Sequence, residues 1–96
     1  MSDPMITEER DGPKGRFVIR TPQGDAEMTY SVLSPSLRIV DHTGVPKALE
    51  GQGFAYQLVL HLIEDAKSNG YKIVPLCPYV NAQRAKHPEW ADHFSV

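Results

Sequence analysis

Two glycines one residue apart, Gly51 and Gly53, stand immediately ahead of the chain's one long amphipathic segment. In the run Val45-Pro46-Lys47-Ala48-Leu49-Glu50-Gly51-Gln52-Gly53-Phe54-Ala55, the small residues let a backbone loop come close to something bulky. The helix start behind them offers unpaired N–H groups and the positive end of a dipole, which together suit a phosphate or pyrophosphate. Just upstream, His42 ends a β-prone run, where an imidazole is placed to take a proton. Asp41 precedes it, and strict strand alternation would send the Asp41 side chain to the opposite face, away from the ring. Cys77 is the single thiol. His61, read onto the polar side of the helix, and His87 and His93 near the C-terminus form no pair with metal-ligand spacing, so no metal site is expected.

The elements that must position these groups follow from periodicity and punctuation. Ile6 to Arg10 reads as a short strand and Asp11-Gly12-Pro13-Lys14-Gly15 as a turn. Arg16 to Arg20 is β-prone, and Thr21-Pro22-Gln23-Gly24-Asp25 turns the chain again. Ala26, Met28, Tyr30 and Val32 alternate with Glu27, Thr29 and Ser31, the period of a half-buried strand. Ser34-Pro35-Ser36 is a further turn before the strand Leu37 to Thr43. The first part of the chain therefore reads as an antiparallel meander.

From Gly53 the period becomes helical: Phe54, Ala55, Leu58, Val59, Leu62, Ile63 and Ala66 make one stripe, with Gln57, His61, Glu64 and Lys67 off it. Gly70 ends the helix, and Tyr71 to Cys77 is expected as a strand parallel to Leu37–Thr43, reached by the helical crossover. A short helix from Tyr79 to about Lys86 follows, and the aromatic residues Trp90 and Phe94 of the tail are expected to dock on the sheet. Pro75 and Pro78 cannot donate to a ladder, which suits two parallel strands that separate at that end. Such a split beside the glycine loop leaves a slot for a ligand.

Composition narrows the classes. The 96 residues fit one domain spanning 1–96, and a formal charge of −2 gives no electrostatic case for nucleic acid. No apolar run reaches membrane-spanning length, the N-terminus lacks the pattern of a signal peptide, and a lone cysteine excludes an internal disulfide framework. The expectation is a cytoplasmic protein without membrane partners, a monomer or weak homodimer.

Taken in order, His42-Thr43-x-Val45-Pro46-x-Ala48-Leu49-x-Gly51-x-Gly53-x-Ala55, the amphipathic helix, Pro75-x-Cys77-Pro78-Tyr79 and His87-Pro88-Glu89 resemble the small single-domain branch of the GNAT acetyltransferase superfamily. The resemblance runs from about Leu37 to Trp90. It implies an α/β (α+β) fold: a mixed, mostly antiparallel sheet with one splayed parallel strand pair and flanking helices. It also implies an acetyl-CoA-dependent N-acyltransferase acting on an amine acceptor of unknown identity. A non-catalytic module of the same fold that binds coenzyme A or an acyl form is the alternative.

The family's loop pattern (Arg or Gln, two residues, Gly, one residue, Gly or Ala) falls on Glu50, Gly53 and Ala55. The resemblance gives Gly51, Gln52, Gly53, Phe54 and Ala55 to the pyrophosphate of coenzyme A. It gives Thr43, Gly44 and Val45 to the pantetheine arm, and Cys77 to the acyl end. Cys77, His42 and Tyr79 are the catalytic candidates: a thiol lining the acyl site, a base, and a proton donor to the leaving thiolate. Arg84 and Lys86 read as a solvated helix face, with a 3′-phosphate as their alternative partner in the same scheme. Three positions depart from the family pattern: Glu50 for Arg or Gln, Gly44 for Glu, and Gln83 for Tyr. Glu50 is expected to point away from the anion.

Overall fold

Each turn read from Gly and Pro reverses the chain, and the four strands between them pair with their sequence neighbours. The computed structural model describes residues 5–95. Strands β1 (Thr7–Asp11), β2 (Lys14–Thr21), β3 (Gly24–Ser34) and β4 (Leu37–Gly44) form an antiparallel meander. A short 3-10 turn (Lys47–Leu49) leads to helix α1 (Phe54–Asn69), which crosses to β5 (Lys72–Pro75). β5 pairs parallel with β4, giving the order β1-β2-β3-β4-β5. Helix α2 (Pro78–Lys86) and a 3-10 segment (Pro88–His93) complete the described chain.

Strand alternation sends Phe17, Ile19, Ala26, Met28 and Tyr30 to one face, where they meet Leu58, Val59, Leu62 and Ala66 of the α1 stripe in a single core. Each large side chain removed from water there contributes about 1.5–3 kcal/mol. Gly70 ends α1 in a left-handed conformation (φ 70°) and donates its N–H to Ala66 O. The opposite face of β1–β3 is held by ion pairs: Arg16 bridges Glu9 and Glu27 at 2.8 and 2.7 Å.

Three sequence expectations are corrected. The last strand is shorter than Tyr71–Cys77. Tyr71 stays in the helix-ending turn, its N–H on Ala66 O, and its hydroxyl donates to Asp65 at 2.7 Å. Beyond Pro75 the Leu76 N–H folds back to Val74 O. His61 is not on a purely polar side: it is half-buried, with its ring edge-on to Phe17 at 4.8 Å. Of the two tail aromatics, Phe94 docks beside β5, forming a bridge with Ile73, whereas Trp90 stacks on His87 at the core's edge.

At the end of the sheet away from the glycine loop, Arg38 sits 4.1 Å over the Tyr71 ring and 4.9 Å over the Tyr30 ring, between Glu8 and Asp65. The Tyr30 hydroxyl donates to Glu8. This network ties β1, β3, β4 and α1 to the turn before β5. Burial first, and the adjacent carboxylate second, hold both phenols above the ordinary tyrosine value.

Candidate active site

The slot between the parallel strands begins where pairing fails. Val40↔Pro75 is the last register pair, and Cys77 N–H to Val40 O (2.9 Å) the last link. Asp41 to Gly44 then continue with β3 on one side and no strand on the other. Two prolines without N–H groups flank the break, as their chemistry requires.

A β-bulge sets which side chains face this slot. Pairing steps from Tyr30↔Val40 to Thr29↔His42, so Asp41 is the extra residue. The alternation from Val40 is thereby reset. Thr43 pairs with buried Met28 and faces inward, whereas His42 pairs with Thr29 and faces outward. Asp41 shares the outer face with His42, contrary to simple alternation. Its carboxylate nonetheless accepts a hydrogen bond from the Thr29 hydroxyl (2.7 Å), so it does not orient the imidazole.

Thr43 is thus brought to Cys77, whose buried Sγ donates to Thr43 Oγ1 at 3.3 Å. Cys77 and His42 lie on opposite faces of the sheet at the mouth of the slot. The His42 ring folds over Gly44: a Cβ there would meet His42 Nε2 at 2.9 Å. The imidazole therefore fills the space beside residue 44, where the family pattern has a carboxylate.

On the inner side, the loop has the conformation its glycines allow. Gly51 and Gly53 take φ of +83° and +81°, and a Cβ on either would meet no atom within 4 Å. Buried Leu49 anchors the approach to the loop. Helix α1 has neither a side-chain cap nor an acidic residue in its first turn. Its first internal bond is Gln57 N–H to Gly53 O, which leaves the N–H groups of Phe54, Ala55 and Tyr56 free for another acceptor. In front of them is a cavity of about 250 Å³ bordered by Val45, Gly51, Gly53, Ala55, Tyr56 and Tyr79. No Lys, Arg or His lines it, so its attraction for an anion comes from peptide N–H groups.

Glu50 is exposed and borders the same cavity, an acidic residue at its rim. Gln52 is exposed at the tip of the loop. Tyr79, half-buried on α2, has its hydroxyl pKa raised by burial, and it stays protonated at neutral pH. Gln83 follows one turn later, half-buried, and Arg84 Nε is engaged by Asn81 Oδ1 at 3.0 Å. The free helix start and the open space before the glycines suit an anion, and the slot opens beside them.

A family model described as GCN5-related N-acetyl-transferase matches residues 16–93. The chain belongs to the GCN5-related N-acetyltransferase family. Among solved structures, this GCN5-related chain is similar to a GCN5-like protein from Staphylococcus aureus determined by NMR. The two are 27% identical with a TM-score of 0.69, over 99% of this chain and 91% of that one. No curated protein matches the chain. Within this GCN5-related fold, two features of the site were missed in the sequence. The bulge at Asp41 has no local signal. Tyr56 on the cavity wall had one, being an aromatic residue three positions after Gly53 and just off the apolar stripe.

Among the described residues, no helix is long and apolar enough to cross a membrane. Nor do three or more His, Cys, Asp or Glu side chains group as a metal site.

Proposed function

We propose that the protein transfers an acetyl group from acetyl-coenzyme A to an amine. The observation that carries this reading is the uncapped first turn of α1, fronted by two left-handed glycines and opening beside the split between β4 and β5. Bound there, acetyl-coenzyme A supplies an activated acyl thioester.

The N–H groups of Phe54, Ala55 and Tyr56 hold the pyrophosphate, with the absence of side chains at Gly51 and Gly53 leaving room for it. The free edge from Thr43 to Val45 offers peptide groups to the pantetheine amides, in the manner of an added strand. An N–H on that edge would stabilise negative charge developing on the thioester oxygen. Cys77 and Thr43 wall the slot from the inner side. The acceptor amine reaches it from the outer face, where it must be neutral to attack, and His42 is the imidazole on that face able to take its proton. Tyr79 Oη holds a proton of the kind a leaving sulfur needs. The open outer face favours an exposed amine, such as a lysine side chain or a polyamine.

A second reading keeps binding without turnover. It is favoured by Gly44, which has no side chain to act as a base, and by acidic Glu50 at the cavity rim. The two separate in one experiment: thiol release from acetyl-coenzyme A is followed with a panel of lysine peptides and polyamines, alongside calorimetry of coenzyme A binding. Turnover with any amine supports transfer, and tight binding with no turnover across the panel supports the module. Absence of binding overturns both.

A further inference from the structure

Beside the glycine loop, at the edge of the core, lies a group of rings that the acyl slot does not use. The Trp90 and His87 rings stack at 4.0 Å with 17° between their planes. The Tyr56 ring lies 6.0 Å from His87, tilted by 35°. His87 Nδ1 is hydrogen-bonded to Glu89 Oε2 at 2.9 Å, which fixes its plane from the side while Trp90 backs it. Tyr56 has no such support. It is exposed on the first turn of α1 and lines the loop cavity, three residues beyond Gly53.

We propose that Tyr56 and His87 form the seat of the adenine base of coenzyme A, with Trp90 as its backing and Glu89 as the positioning residue for His87. This rests on the coenzyme A reading above and adds to it a subsite for the nucleotide end. Three features carry it. Rings in favourable contact stack offset or meet edge to face, and the Tyr56–His87 pair does neither: the planes are tilted, and Tyr56 is exposed. His87 is held in place before any ligand arrives, which lowers the entropy cost of stacking on it. Finally, no Lys, Arg or His lines the cavity to bind the nucleotide's phosphates, so a contact to the base adds affinity at the nucleotide end that a cation would otherwise supply. A base stacks on aromatic faces whatever its hydrogen-bonding edge, and a surface tyrosine beside a phosphate site suits that purpose.

The test is calorimetry on the whole chain with two probes, coenzyme A and 4′-phosphopantetheine, which lacks the nucleoside. The variants are Tyr56→Ala and Tyr56→Phe, both at an exposed position that spares the core. Tyr56→Ala is expected to weaken coenzyme A by about tenfold and leave 4′-phosphopantetheine unchanged, with Tyr56→Phe restoring wild-type affinity. Adenine H2 and H8 should also shift upfield in the NMR spectrum of the wild-type complex. Equal losses for the two probes, or no loss for coenzyme A, would overturn the base seat while leaving the coenzyme A reading intact. A wild-type chain that binds no coenzyme A would overturn the subsite and that reading together.

Discussion

Replacing Gly53 by alanine isolates the claim about the loop, because the structure supplies its own control. Gly53 has φ +81° and Gly70 has φ +70°, and a Cβ added to either meets nothing within 4 Å. Neither methyl clashes with the protein, so the stability cost in both cases is that of an L-residue in the left-handed region, roughly 1 kcal/mol. For a domain of this size that lowers the melting temperature by about 4–8 °C. The two sites differ in what lies in front of them. The Gly53 methyl stands at the start of α1, at the cavity mouth, whereas Gly70 closes the helix at its other end. Thermal melts should therefore show similar losses for Gly53→Ala and Gly70→Ala. Calorimetry should show coenzyme A affinity falling at least about tenfold for Gly53→Ala alone. Equal affinities in the two variants would refute the assignment of the loop as the anion site. An unchanged melting temperature for Gly53→Ala would refute the left-handed backbone on which it rests.

Other outcomes follow from the same geometry. His42→Gln should lower kcat by about 10²-fold with little change in KM for acetyl-coenzyme A, and unaltered turnover would remove His42 as the base. Cys77→Ala should reduce transfer by less than about tenfold, since the thiol donates to Thr43 and lines the slot; total loss with intact binding would instead give it a direct chemical role. Glu50→Gln should tighten coenzyme A binding by about two- to fivefold at low salt, an advantage that shrinks as salt is added; weaker binding would contradict a repulsive carboxylate at the rim. For Tyr30 and Tyr71 the folded pKa is raised above the unfolded value of about 10, so their contribution is complete below that pH and is lost as pH rises through the folded values. The urea midpoint should fall as pH rises from about 10 to 11, and the fall should be smaller in the Tyr30→Phe, Tyr71→Phe double variant; an identical fall would assign the loss to other groups.

Much of this architecture was legible in the sequence because it depends on short-range periodicity. The alternation of Ala26, Met28 and Tyr30 and the stripe from Leu58 to Ala66 each encode a face, and both faces are buried as read. The prolines at 75 and 78 encoded the end of the parallel ladder, since a missing N–H is a property of the residue itself. The glycine loop was equally direct. What escaped the sequence depends on partners far along the chain. Asp41 becomes a bulge only through its register with Thr29 and Tyr30, and that one residue decides that Thr43, and not His42, meets Cys77. Tyr71 counts as a strand former by composition, but its hydroxyl is drawn to Asp65 on α1. His61 lies off the apolar stripe by helical angle, yet Phe17 on β2 offers it a ring edge. The pairing of Tyr56 with His87 likewise joins α1 to the residue that links α2 to the last 3-10 segment, 31 residues on in sequence.

The central claim is that a coenzyme A pyrophosphate sits on the first turn of α1 beside the split strands. Titrating the ¹⁵N-labelled chain with coenzyme A and following each backbone amide tests it most directly. The largest shifts are expected at Gly51, Gly53, Phe54, Ala55 and Tyr56, with a second set from Thr43 to Val45. Saturation with those amides unmoved, or shifts confined to the outer face of β1–β3, would contradict it.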